Sequence, residues 1–443
     1  MKFSKKVLSN GLTVIEVPSH DAESVVVDFF VKTGSRSETA KENGISHFLE
    51  HFLFKGTKKY PSALAISSLI DSIGGEMNAN TGKEHTQYYI KAASKHLELI
   101  FEVLTGMIQN PLLDAQELEK EKGVIVEEIN MYKDTPMYEI ENVLERTMWP
   151  RETLGRDIAG TKETVVKFNR KMFLDYINKH YQTPNMILGI SGKYDSGKLR
   201  GLIDRHWSVR GVIARSAADE AILPHDKIAS GALATTKHWQ PVRDKQKSPR
   251  LKVEFKKTEQ AHLALGYKGF SYKDKRNTAQ MVLAAILGGG MSSRLFTEVR
   301  EKRGLAYYVR ASGSNYQDTG VFNIGAGVQI GKIHEAIKII KYELEKIKNI
   351  KVADKELQKA KEYLKGRSIL ALEDNQVRLD WFLEHAAFYP KIQIPSEVFK
   401  RIDAVTHRDV SSVAKQLFQN KNLTLAVIGP YKSDKAFKKI LTM

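Results

Sequence analysis

The chain has 443 residues, with 69 Lys and Arg against 52 Asp and Glu for a formal net charge of +17, 42% hydrophobic residues and no cysteine. Its length exceeds the roughly 250–300 residues at which a single core stops growing, so more than one domain is expected. The missing cysteine excludes disulfide staples, thiolate metal ligands and a cysteine nucleophile, and the basic residues are spread along the chain without a nucleic-acid motif, so no nucleic-acid partner is expected.

In chain order, MKFSKKVLSNGLTVIEV lacks an apolar signal core and passes straight into strand-like sequence, LTVIEV and then SVVVDFFVKTG. No apolar run reaches the ~18 residues of a membrane span, so a cytoplasmic chain without membrane contact is expected. His47-Phe48-Leu49-Glu50-His51 follows. On a helix the two histidines lie one turn apart on one face, where both can reach one Zn2+ at about 2.0–2.1 Å. Glu50 stands beside them as a candidate general base, and H-x-x-E-H is the inverted motif found in zinc peptidases. Two histidines do not complete a catalytic metal site. The helical run AQELEKEKGVIVEEINMY after Asp114 offers Glu121, Glu127 and Glu128 as candidates for a third ligand. Between the two lies SLIDSIGGEMNANTGKEHTQYYIKAAS, where Gly74-Gly75 breaks a helix and Met77 to Thr81 and Thr86 to Ile90 alternate as strands.

Residues 209–248 mix Ala, Gly, Ser, Pro and charge without periodicity and read as an interdomain linker; a flexible one lets two domains open and close like a clam. Beyond it the chain repeats itself. LKVEFK and AHLALGYKG match the first strand pair, NLTLAVIGPY (422–431) matches NMILGISGKY (185–194), and VADKELQKAKEYLKGR (352–367) matches LDAQELEKEKGVIVEE (113–128). The fold class expected is α+β, with two homologous domains over 1–208 and 249–443, each with helices packed on a mainly antiparallel sheet. In the second copy Ala360 and Arg367 stand where the first has Glu121 and Glu128, and AQMVLAAILGGG has no histidine, so that copy is expected to lack metal. Gly288 to Gly290 read as a helix terminus or hinge, and Trp381 to His385 as a coincidental echo of the motif on a core-facing helix.

The segment GISHFLEHFLFKGTKKYP (44–61) resembles the pitrilysin/insulinase family of zinc metallopeptidases, in the short-chain branch that includes the mitochondrial processing peptidase. In that family a distal glutamate follows the second histidine after about 76 residues, within a helix reading E-x-x-x-x-x-x-E; here 76 residues separate His51 from Glu128, and Glu121 stands seven before it. The resemblance implies Glu128 as third Zn2+ ligand and Glu121 as an assisting carboxylate, leaving Glu127 solvated or in a structural pair. The block LGGGMSSRLFTEVREKRGLAYYV (287–309) is similar to the family's C-terminal-domain signature and implies that Arg300 and Tyr307 bind the substrate carbonyl and the developing oxyanion. It also implies two α/β-roll domains, and a sheet-edge strand carrying Asn78, Ala79 and Asn80 beside the substrate. The implied function is a zinc endopeptidase acting on peptides or unfolded precursor segments bound as an added edge strand. The implied assembly is a homodimer, or a heterodimer with a related subunit, with Arg300 and Tyr307 acting in trans. The alternatives are a non-catalytic structural or partner subunit of the same family, a metal-dependent hydrolase of another class and a nucleic-acid-binding protein.

Overall fold

The computed structural model describes residues 1–207 and 239–442, so most of the expected linker over 209–248 lies outside the described residues. The chain divides into two compact units: Met1–Ile129, Asp157–Gln240 and Ala371–Ala387 form the first, and Asn130–Arg156, Pro241–Leu370 and Phe388–Met443 the second.

The first unit holds a six-stranded sheet in the order β1-β2-β6-β3-β5-β4. Its strands are β1 (Ser4–Val7), β2 (Thr13–Pro18), β3 (Ser24–Val31), β4 (Glu76–Thr81), β5 (Thr86–Ala93) and β6 (Met186–Gly192). β2 runs parallel to β6, and the other neighbours are antiparallel. β3 reads SVVVDFFV and is buried almost throughout, as a strand covered on both faces must be. Val25, Val27, Phe29 and Val31 join one cluster with helix α1 (Ile45–Leu53), α2 (Ala63–Asp71) and α3 (Leu97–Gln109). The opposite face is covered by the helix Asn375–Phe388, which approaches β6 so closely that a Cβ at Gly189 would lie 2.9 Å from Leu379 and Leu383 atoms.

The second unit carries five strands: β7 (Arg250–Phe255), β8 (Gln260–Gly269), β9 (Ala306–Asn315), β10 (Gly320–Gln329) and β11 (Thr424–Gly429). Their order, β7-β11-β8-β10-β9, is that of β2-β6-β3-β5-β4, again with one parallel pair, β7 with β11. The internal repeat is therefore visible as one sheet built twice in an α+β fold.

The compact units are not contiguous in sequence. Helix α5 (Pro136–Met148), from the first half of the chain, sits in the second unit and buries Ile140, Val143 and Leu144 against Ala264, Ala426 and Ile428. Gly266 leaves the room this requires, since a Cβ there would meet Met148 Cε at 2.5 Å. The helix Asn375–Phe388, all but its last residue inside the first unit, makes the reverse move. Each contiguous half expected from the sequence, 1–208 and 249–443, thus lends one helix to the sheet of the other. An amphipathic stripe specifies burial against a sheet but not which sheet.

Candidate metal centre

Helix α1 begins where Gly44 adopts φ +97, a conformation suited to glycine, in a place where a Cβ would lie 2.6 Å from the Ala159 carbonyl oxygen. The helix lacks a side-chain cap of its own, and the buried Glu38 takes that role. Its Oε1 accepts from the Ser46 N–H at 2.9 Å, and its Oε2 from the Gly44 N–H at 2.9 Å and from Asn43 Nδ2 at 3.2 Å. Burial pushes the Glu38 carboxyl up to about 7 despite these donors. Ile45, Phe48, Leu49 and Phe52 fill the core side of α1, which directs His47, Glu50 and His51 to the other.

Helix α4 (Ala115–Asp134) supplies the carboxylates. Leu118, Glu121, Ile125 and Ile129 are buried along one side, Glu128 lies two turns after Glu121 and is half-buried, and Glu127 is exposed. Ligand atoms of His47, His51 and Glu128 all lie within 4.8 Å of one another, and among the described residues this is the group of three that converges. His47 Nε2 is 3.5 Å from Glu128 Oε1, and His51 Nε2 is 3.4 Å from Glu128 Oε2. Ligands at the 2.0–2.1 Å bond lengths of tetrahedral zinc stand about 3.3–3.4 Å apart, and these donors, within 4.8 Å of one another, fit Zn2+ once the side chains close on the ion. The three side chains keep 11, 26 and 20% of their surface exposed, which leaves the centre open on one side.

Around the three, His51 Nδ1 donates to Glu121 Oε1 at 2.9 Å, and Lys55 Nζ lies 2.5 Å from Glu121 Oε2. Burial disfavours charge on His51, but the Glu121 hydrogen bond and the charges of Glu128, Glu121 and Glu50 outweigh it and hold its pKa above the ordinary value. Burial likewise works against ionised Glu121, yet the His51 and Lys55 contacts keep its pKa below the usual carboxylate range. His47 Nδ1 is buried without a hydrogen-bond partner among the described residues. Glu50 Oε2 accepts the Thr81 hydroxyl at 2.5 Å.

Thr81 ends β4, and β4 is the edge of its sheet, so one backbone edge is unpaired among the described residues. Asn78 and Asn80 are exposed, while Ala79 turns toward the core. Arg300 and Tyr307 lie in the second unit and meet there: Arg300 Nη1 donates to the Tyr307 carbonyl at 2.8 Å, and the Tyr307 ring is 75% exposed on β9. Trp381 to His385 carry no converging ligands; Phe382 and Leu383 are core, and His385 Nδ1 donates to the Trp381 carbonyl at 2.6 Å. Sequence reading passed over Thr81 and Lys55. Lys55 did offer a signal, standing one helical repeat beyond His51 in HFLEHFLFK.

Comparison with known proteins places the chain among zinc proteases and their structural relatives. The insulinase profile, peptidase family M16, matches residues 13–162, and the profile described as the M16 inactive domain matches residues 167–364. An uncharacterised zinc protease of Streptomyces coelicolor is 35% identical over 98% of this chain and 90% of its own length. Another, YmxG of Bacillus subtilis, is 33% identical over 95% of this chain and 97% of its own. The crystal structure of a protease from Helicobacter pylori superposes with a TM-score of 0.87 at 26% identity, covering 97% of this chain and 99% of that one. The structure titled as the M16 inactive domain from Pseudomonas fluorescens shares the fold at a TM-score of 0.83 and 18% identity, over 98% of this chain and 99% of that one.

Proposed function

The chain belongs to the insulinase family, peptidase family M16, and from that membership we propose that it is a Zn2+-dependent endopeptidase, hydrolysing peptides or unfolded segments bound as an added strand on β4. The observation that carries the reading is the convergence of His47, His51 and Glu128 with Glu50 beside them on α1.

In this reading His47, His51 and Glu128 hold the ion. When bound, Zn2+ supplies Lewis-acid polarisation of the scissile carbonyl and acidifies water. Glu50, with Oε2 fixed by Thr81, offers Oε1 to take the proton of the attacking water and later hand it to the leaving amine. Glu121 fixes the His51 ring through Nδ1. The free edge of β4 pairs with substrate backbone between Asn78 and Asn80, which gives affinity with little demand on side-chain identity. Arg300 and Tyr307 orient the carbonyl and stabilise the oxyanion, acting across a homodimer or a heterodimer with a related subunit; the exposure of Tyr307 is in keeping with that role. Among the described residues no helix is long and apolar enough to cross a membrane.

The alternative, a non-catalytic structural or partner subunit, draws on the inactive-domain match over 167–364. His47, Glu50, His51 and Glu128 all lie outside that range, which favours the enzyme. The test is zinc content together with cleavage of a quenched peptide library by wild type and Glu50→Gln, with and without chelator. Zinc-dependent cleavage that Glu50→Gln abolishes supports the peptidase. A zinc-free, inactive wild type would return the chain to the structural alternative.

A further inference from the structure

Glu121 is 3% exposed in its side chain, and both of its carboxylate oxygens are engaged, one by His51 Nδ1 at 2.9 Å and the other by Lys55 Nζ at 2.5 Å. A carboxylate buried to this extent persists as a charge only if it is paired. His51 cannot serve as that countercharge while its Nε2 is committed to a metal, because a ligating imidazole is neutral. The neighbouring Lys122 pairs with Glu119 at 2.7 Å. Lys55 thus supplies the cation seen on Glu121 among the described residues, and it comes from the turn that closes α1, just past the Phe54 C-cap.

We infer that Lys55 is a positioning residue for the metal: it clamps Glu121 in the rotamer that accepts from His51 Nδ1 and so aims His51 Nε2 at the ion. The inference rests on the zinc reading of His47, His51 and Glu128. With Oε2 held by Lys55, the carboxylate plane cannot rotate away, and the histidine keeps one tautomer and one ring orientation. Without Lys55 that oxygen is buried and unmatched, the carboxylate is released toward water, and the imidazole loses its rear support. An ordinary ion pair between α1 and α4 would add stability and leave metal affinity alone. A clamp acting through Glu121 lowers metal affinity, and its effect vanishes when Glu121 cannot be clamped.

Zinc Kd, measured by competition with a chromogenic chelator, separates these possibilities in wild type and four variants: Lys55→Met, Lys55→Arg, Glu121→Gln and the double variant Lys55→Met/Glu121→Gln. Lys55→Met should bind zinc about tenfold more weakly than wild type, toward the low end of the effect of removing a group that orients a ligand, and Lys55→Arg should recover most of the loss. In the Glu121→Gln background the Lys55→Met change should cost nothing further. Should Lys55→Met not fold, Lys55→Gln, which keeps a polar group beside the buried oxygen but no charge, takes its place in both comparisons. Equal zinc affinity in Lys55→Met and wild type, or an undiminished loss in the Glu121→Gln background, overturns the inference and leaves the zinc reading standing. A wild type that takes up no zinc overturns both.

Discussion

Thr81, the last residue of β4, gives its hydroxyl proton to Glu50 Oε2 at 2.5 Å and ties the strand proposed to receive substrate to the carboxylate proposed as base. A hydrogen bond to a charged group is worth about 1.5–3 kcal/mol when its partner is held. Thr81→Val keeps the shape and removes the donor, so Glu50 gains rotational freedom while β4 keeps its backbone. Peptide cleavage by Thr81→Val should show kcat reduced about tenfold or more with KM nearly unchanged, and Thr81→Ser should stay close to wild type. A fall confined to KM would mean that Thr81 serves the strand and not the base.

Metal binding should be readable as stability. A ligand that binds only the folded chain adds about 2.7 kcal/mol when free at a hundred times its Kd, and for domains of this size each kcal/mol moves Tm by about 2–4 °C. Chelation of wild type and of Glu50→Gln should therefore lower Tm by several degrees in thermal scans. His51→Ala, with a ligand removed from the centre, should show no such response. A chelator effect as large in His51→Ala as in wild type would place the stabilising ion elsewhere.

How much of this was legible in the chain follows from range. His47, Glu50 and His51 share a face because of local helical geometry, so their relation could be read from five letters. Glu128 lies on another helix; residue chemistry left it level with Glu121 and Glu127, and only the family spacing singled it out before the structure brought it to His47 and His51. Thr81 and Lys55 carry no such mark, since each matters through one tertiary approach, the end of β4 to α1 or the exit of α1 to α4. The repeat predicted two like sheets, and the strand orders agree. The exchange of helices could not be foreseen, because Ile140, Val143 and Leu144 form a stripe that would suit either sheet.

The exchanged helix Asn375–Phe388 is held by an acid pair that sets a pH dependence. Gln87 Nε2 donates to Asp28 Oδ2 at 2.6 Å and to Asp380 Oδ1 at 2.5 Å, and Gln376 Nε2 bridges the same two oxygens at 2.9 and 2.8 Å. Burial, then the Asp380 charge, pushes the Asp28 pKa well up; burial raises Asp380, with Asp374 adding to it, and Glu384 on the same helix is raised by burial to about 7. The nearby cation, Lys91, is spent on Asp374 at 2.7 Å. A carboxyl whose folded pKa lies above its unfolded value of ~4 contributes stability that is full below that value and lost as pH rises through the folded one. Wild-type Tm should therefore fall as pH rises from 5 to 9. Asp28→Asn keeps an oxygen to accept from both glutamines and drops the repulsion, so its profile should be flatter and meet or exceed wild type at pH 9. Superimposable profiles would show that Asp28 is not the group that titrates.

The assignment of Arg300 and Tyr307 to a partner's metal centre can be tested by complementation. Glu50→Gln lacks the base but has an intact Tyr307, and Tyr307→Phe keeps the base but lacks the phenol, so each should be nearly inactive alone. If each site draws on two subunits, random exchange yields half mixed dimers in which one of two sites is intact, and activity should return to roughly a quarter of wild type. If the site forms within one chain, every mixed dimer still holds two defective sites and activity stays at the level of the single variants. Subunit exchange has to be verified independently, for instance by pull-down of an untagged variant with a tagged one. With exchange verified, silence in the activity assay moves Arg300 and Tyr307 to the centre of their own chain.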